Sequence, residues 1–345
     1  MSLSREKRET IKKYIMEKIA AGNPNVVGKA AATFSVSPNT IYRYLRELAE
    51  DHIIEKTGRT YRLIQNTAVY QFQINEVEPN SEDRIYEACL EALICDLPDN
   101  VIHIWYYCFS EMVNNVIEHS QCSHFSIHIC RDYMNTSATI SDDGIGLFKK
   151  ICDYYHFSNI QDAILELFKG KLTTDPANHS GEGIFFSSRL MDEFAAISGG
   201  KVFSHTEFDE ILRDIKASSF KETKDAELAK TGTVIFMKLS NFSNKTAKEI
   251  FDRYADIDGG FKRTIIPIKN VFPVYPVARS QAKRLANRLE SFEEVLLDFN
   301  GVSEIGQGFA HELFVVFQKK HPEIKLLPIN TNEDVQRMIW HVTRG

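Results

Sequence analysis

At 345 residues the chain is too long for one average domain, and 43% hydrophobic with 26% charged residues places it with soluble globular proteins, not disordered or membrane-spanning ones. The longest apolar run, around Val101 to Phe109, is too short for a membrane span, and the charged start "MSLSREKRETIKKY" lacks a signal-peptide core, so a cytoplasmic chain without membrane contact is expected. The net charge of −6 is unevenly spread: residues 1–64 hold twelve Lys/Arg against seven Asp/Glu, a basic head on an acidic body, so any nucleic acid is expected at the head.

In the head, "REKRETIKKYIMEKIA" sets Ile11, Tyr14, Ile15 and Ile19 at helical spacing, "GKAAATFS" reads as a second short helix, and a third follows in "VSPNTIYRYLRELAEDHII". Ser37 is placed to cap the third helix, Pro38 is its first residue, and Ile41, Leu45 and Leu48 form its buried stripe. "IEKTGRTYRLI" reads as two strands around a Thr-Gly turn. This order resembles a winged helix-turn-helix. Asn39, Thr40, Tyr42, Arg43 and Arg46 on the third helix are then placed to reach bases and phosphates in a major groove, with Lys56 and Arg59 in the wing adding phosphate contacts. The competing reading is a basic, solvated interaction domain.

The middle of the chain starts with a strand, "AVYQFQI", then two helical stretches, "SEDRIYEACLEALICDLP" and about Asp99 to His119. "HFSIHIC" and "SATISDD" read as a hairpin pair, so "DDGIG" falls where a strand ends. The six cysteines, Cys89 to Cys152, contain no C-x-x-C pair and are expected to be reduced thiols, not a zinc site.

Four short patterns in this region carry chemistry. In "SEMVNNVIEHS", Glu111, Asn115 and His119 recur every four residues and share one helix face, which faces either water or a site, because Met112, Val113, Val116 and Ile117 already supply an apolar face. Asp142, Gly144 and Gly146 form D-x-G-x-G, by itself a common turn. Gly181 and Gly183 precede a helix whose apolar face is read as Ile184, Leu190 and Phe194, and glycines at a helix N-terminus let phosphates reach backbone N–H groups. Thr233 enters a late strand in "KTGTVIFMKL". In this order, over roughly 120 residues, the four resemble the N, G1, G2 and G3 boxes of the GHKL-type ATPases, most closely the anti-sigma-factor serine kinases.

The resemblance implies an α/β-sandwich that binds ATP with Mg²⁺. It implies that Asp142 accepts a hydrogen bond from the adenine amino group, that Gly144 and Gly146 allow the base to approach, and that Asn115 holds Mg²⁺. Glu111 would act as general base, Gly181 and Gly183 would line the triphosphate, and Thr233 would support the adenine end. Residues 147–180 would form a lid, in which Lys169, Lys171 and His179 are either solvated or touch phosphate. Asp143 is expected to face solvent, and His119 to be a pocket wall.

The last segment alternates strand and helix: "RTIIPI", "SQAKRLANRLES", "EVLLDF", "QGFAHELFVVFQKKH", "IKLLPI" and "NEDVQRMIWHV". "RSQAKRL" and "LDFNGVSEIGQGFAHELF" resemble a STAS-like domain. Where phosphorylatable STAS proteins carry a serine, this chain reads "IGQGF", so Gly306, Gln307 and Gly308 offer no hydroxyl, and Ser303 and Ser280 read as turn and cap residues. The expected architecture is multidomain α/β and α+β: a winged helix-turn-helix over 1–65, a GHKL-type ATP-binding domain over 66–245 and a STAS-like domain over 260–345. The expected function is an ATP-regulated, DNA-binding transcriptional regulator, dimeric because such regulators often read paired half-sites, with a protein partner for the STAS-like domain. A serine/threonine kinase or ATPase acting on a partner in trans, and a protein-binding scaffold, are the alternatives.

Overall fold

The computed structural model describes residues 4–79, 81–172, 181–205, 232–255, 260–272 and 274–344. The head consists of α1 (Arg5–Ala20), α2 (Val26–Phe34), α3 (Pro38–Glu50) and a hairpin of β1 (Ile54–Thr57) and β2 (Thr60–Leu63). Each helix starts at a side-chain cap: Ser4, Asn25 and Ser37 accept the backbone N–H of Lys7, Gly28 and Thr40, which satisfies donors that a helix start leaves free. Pro38 occupies the first turn of α3, as its spacing requires. Ile11, Ile15 and Ile19 of α1 bury against Ile41, Leu45 and Leu48 of α3 in a small core of their own, which also takes in Met134 from the central region.

The central region runs through β3 (Asn66–Gln73), α4 (Glu82–Tyr86, continued by a π-turn Glu87–Glu91 and by Ala92–Ile94), α5 (Asp99–His119), β4 (His124–Arg131) and β5 (Asn135–Asp142). It continues with α6 (Leu147–Tyr155), α7 (Ile160–Lys169), α8 (Gly183–Leu190), β6 (Glu193–Ser198), β7 (Lys201–Ser204), β8 (Thr233–Ser240) and α9 (Ala247–Tyr254). The strands make one antiparallel sheet in the order β3-β4-β5-β8-β6-β7. Directly paired residues share a face of a sheet. Phe125, Ile127 and Ile129 pair with Asp142, Ile140 and Ala138, which pair in turn with Thr233, Ile235 and Met237. Asp142 and Thr233 thus end an otherwise apolar row.

Phe194 lies in β6, not on the helix after Gly183, because the chain leaves helical geometry at Met191. His179 and most of the charged stretch "SFKETKDAELAKTG" lie outside the described residues.

The C-terminal region is β9 (Arg263–Pro267), α10 (Ile268–Val271), α11 (Arg279–Ala286), β10 (Glu294–Asp298), α12 (Gln307–His311, continued by a π-turn Glu312–Phe317 and by Gln318–Lys320), β11 (Lys325–Ile329) and α13 (Glu333–Arg344). Its three strands are parallel, in the order β11-β10-β9, as strands joined through helices require. The helix expected up to Ser291 stops at Ala286, and Arg288 takes a left-handed φ of +60°. The whole chain is therefore mixed α/β. Central and C-terminal regions share one continuous apolar core, from Ile85 to Val342, knitted by contacts among Phe185, Phe186, Tyr254, Phe261 and Phe292.

The separate head core leads to a prediction. Leu45→Ala deletes a fully buried side chain, a loss of about 2–5 kcal/mol in comparable sites. Hydrogen exchange should then accelerate through α1 and α3 and leave the amides of β5 and β8 protected.

Candidate functional site

A cavity of about 330 Å³ opens between α5, the end of β5, the start of β8 and the chain that enters α8. That volume is at the small end of the range of ligand pockets. Helix periodicity brings Glu111, Asn115 and His119 to its wall, as their spacing of four predicts. Asp142, Gly146, Gly181, Gly183 and Thr233 line it as well. Gly144 does not. Its backbone N–H donates to Asp142 Oδ1 (2.9 Å), and a Cβ there would lie 2.1 Å from the Ser120 carbonyl oxygen, so it packs the turn against the end of α5 from behind.

Two other glycines mark close approaches. A Cβ on Gly183 would lie 2.1 Å from Glu111 Oε2, so the catalytic candidate on α5 rests against the first residue of α8, where a helix terminus favours an anion. A Cβ on Gly232 would lie 1.9 Å from the Asp142 carbonyl oxygen, and the Gly232 carbonyl accepts a hydrogen bond from Ser198 Oγ. Gly232 was legible only as a neighbour of Thr233. The turn after β5 is tied to β8 by a further bond, from Leu147 N–H to Thr233 Oγ1 (2.9 Å).

The two adjacent acids behave differently. Asp142 is 3% exposed, and burial pushes its carboxyl up to about 6, against the opposing hydrogen bonds from Gly144 and Thr233. Asp143 is exposed, as expected, and is also tied back to the neighbouring strand. It accepts backbone N–H groups from Ser123 and His124 and lies 3.2 Å from His124 Nδ1, and its carboxyl is held below the usual range by hydrogen bonds that outweigh partial burial. It fastens the strand ends while Asp142 meets the cavity.

The lysines expected to be solvated or to touch phosphate are placed otherwise. Lys169 is 1% exposed and bonded to Glu166, and Lys171 donates to the Ser291 carbonyl, so both turn toward the C-terminal region. The reason is that the C-terminal core covers the face of α7 that a free lid would show to water. Among the lining residues that the sequence did not single out are Lys150 and Asn114. Lys150 donates to the His119 carbonyl, and Asn114 Oδ1 is buried with no hydrogen-bond partner among the described residues. The doubled Asn of "VNN" was the available signal for Asn114.

In the head, Asn39, Tyr42, Arg43, Arg46, Lys56 and Arg59 are exposed and Thr40 is half-buried, sharing a 3.0 Å hydroxyl contact with Ser37. Arg43 lies 3.7 Å from Glu47 and over the Tyr44 ring. None of these residues lines the cavity.

The buried Asp142 predicts a stability change. Because its folded value lies above the ordinary aspartate value of about 3.9, ionisation costs folded-state stability as pH rises through 4 to 6. Asn keeps an oxygen for the Gly144 N–H. Asp142→Asn should stabilise the ligand-free chain by of order 2 kcal/mol at pH 7, a gain that vanishes near pH 4, read from denaturant midpoints at both pH values.

Residues 281–336 match the family described as a STAS-like domain of unknown function (DUF4325), which covers α11 to the start of α13. No curated protein matches the chain. The C-terminal region thus carries a STAS-like domain.

Proposed function

We propose that the chain is an ATP-responsive, DNA-binding transcriptional regulator. In this reading residues 1–65 are a winged helix-turn-helix, 66–245 a GHKL-type α/β-sandwich that binds Mg-ATP, and 260–345 the unit that meets a protein partner. The observation that carries it is that Glu111, Asn115, Asp142, Gly146, Gly181, Gly183 and Thr233, spread over roughly 120 residues, line one cavity.

The residues fit such a ligand. Asp142 is a buried acceptor with no cation opposite it among the described residues, suited to an exocyclic amino group, and Thr233 stands beside it on the paired strand. Gly181 and Gly183 line the cavity at the start of α8, where small residues at a helix start that has no side-chain cap suit phosphate oxygens. Among the described residues no three His, Cys, Asp or Glu side chains could hold a metal by themselves. Magnesium would therefore rest on Asn115 Oδ1, with phosphate oxygens and water completing its shell. When bound, the nucleotide supplies a transferable phosphoryl group and a charge that favours one arrangement of the elements around it.

A second reading, a serine/threonine kinase or ATPase acting in trans, is favoured by the place of Glu111 against Gly183, where a carboxylate could orient an attacking hydroxyl or water. Transfer in cis is disfavoured. The turn at Gly306 has no hydroxyl, and a Cβ there would lie 2.5 Å from the Val277 carbonyl, so the loop before α11 covers the position where an acceptor would stand. Radiolabelled phosphate transfer or release by the wild type, lost in Glu111→Ala, would carry the second reading; binding without turnover leaves the first.

Two measurements test the main reading. MgATP affinity should fall by about tenfold or more in Asp142→Asn, the scale of one lost charged hydrogen bond. In the wild type it should weaken as pH drops through about 6, because the protonated carboxyl is a poorer acceptor, whereas the variant removes that component. For the head, Arg43→Ala with Arg46→Ala should weaken duplex DNA binding at every sequence and lower the salt slope by about one per lost phosphate contact. Unchanged DNA affinity across salt would place the head on protein instead.

A further inference from the structure

Helix α7 has two neighbours. Toward the cavity it presents Leu167, and Leu172 follows just beyond its end. Toward the C-terminal region it presents Lys169 and Glu166, paired at 2.6 Å and 1% and 2% exposed. Lys169 Nζ also donates to the carbonyls of Arg284 and Asn287. These are at the end of α11, where a helix leaves carbonyl oxygens unpaired and its dipole favours a cation.

Three further bonds close on the same point. Thr264 Oγ1 of β9 donates to the Lys169 carbonyl (2.7 Å), Arg288 Nη2 donates to the Lys171 carbonyl, and Lys171 Nζ donates to the Ser291 carbonyl (3.0 Å). The left-handed turn at Arg288 also sets its Nε 3.8 Å from Glu166 Oε2. Immediately after, Leu172 N–H donates to the Gly181 carbonyl. One short path therefore runs from the end of α11, through Lys169, to the glycines that line the cavity. A second runs through Arg189 in the last turn of α8, which donates to the carbonyls of Phe168 and Ile265.

We infer that the STAS-like unit regulates the nucleotide cavity in cis, with Lys169 and Glu166 as positioning residues that latch α7 to the end of α11. This rests on the nucleotide reading above. The latched arrangement holds Leu167, Leu172 and the approach to Gly181 in place. Nucleotide tightens the latch, and a protein partner that draws the end of α11 away loosens the nucleotide by the same factor. A buried ion pair that only stabilised the fold would not link the two events.

The test uses the full chain. Hydrogen exchange is followed with and without MgATP, and MgATP affinity is compared between wild type and the double variant Glu166→Gln/Lys169→Met, which removes both charges and leaves neither buried alone. The expected result is slower exchange over residues 284–291 when MgATP is present, and MgATP binding weakened on the order of tenfold in the double variant, with that protection gone. Protection around the cavity with no change over 284–291 would overturn the inference, as would wild-type affinity in the double variant. If the variant does not fold, the wild-type exchange pattern decides alone. A wild type that binds no MgATP ends the nucleotide reading and this inference together; binding without linkage ends only the inference.

Discussion

The pairing of β5 with β8 in the middle of the sheet is the constraint on which the rest depends. It aligns Asp142 with Thr233 at the end of an apolar row and brings Gly232 against the Asp142 backbone, with no room for a side chain. A carboxylate at that place must be buried, since the row it ends faces the core. Burial keeps its proton affinity high even though Gly144 and Thr233 already donate to it. Natural sites often retain such a destabilising group where a ligand satisfies it. The turn after β5, the entry of α6 and the end of α5 are then all fixed relative to this one residue, through Gly144, Leu147 and the Ile145 N–H bond to the Ser120 carbonyl.

Much of the architecture was legible because local signals agreed with the final packing. Ser37-Pro38 states where α3 starts, and the spacing of Ile41, Leu45 and Leu48 states which face is buried. The row Glu111, Asn115, His119 could be placed on one side of a helix, but not at a cavity, until the resemblance supplied the other walls. What the sequence did not yield were facts of long-range packing. Lys169 looks like a solvent-facing lid residue because nothing within ten positions announces that α11 ends above it. Arg288 looks helical because a left-handed residue other than glycine has weak local signature. Asp143 and Asp142 are adjacent and chemically identical, and only the alternation of strand faces separates a core-facing acid from one that ties strand ends together.

The C-terminal unit differs from an independent module in how it is attached. Its β9 and α11 supply groups that satisfy the end of α7, and its aromatic residues close over Phe185 and Phe186. Its turn at Gly306 is covered by the loop at Val277, whose carbonyl oxygen would lie 2.5 Å from a Cβ there.

The shared apolar core also bears on how the chain is made. Residues separated by up to about two hundred and fifty positions, from Ile85 to Val342, belong to one cluster. Contacts between such distant residues form late, because the loop between them must close first. A ribosome that has delivered only the central region would therefore leave Phe185, Phe186 and Tyr254 without the Phe261 and Phe292 rings that pack near them. The head, with its small core, depends on few such distant contacts, whereas the core of the cavity-bearing region is complete only once the C-terminal region has been made.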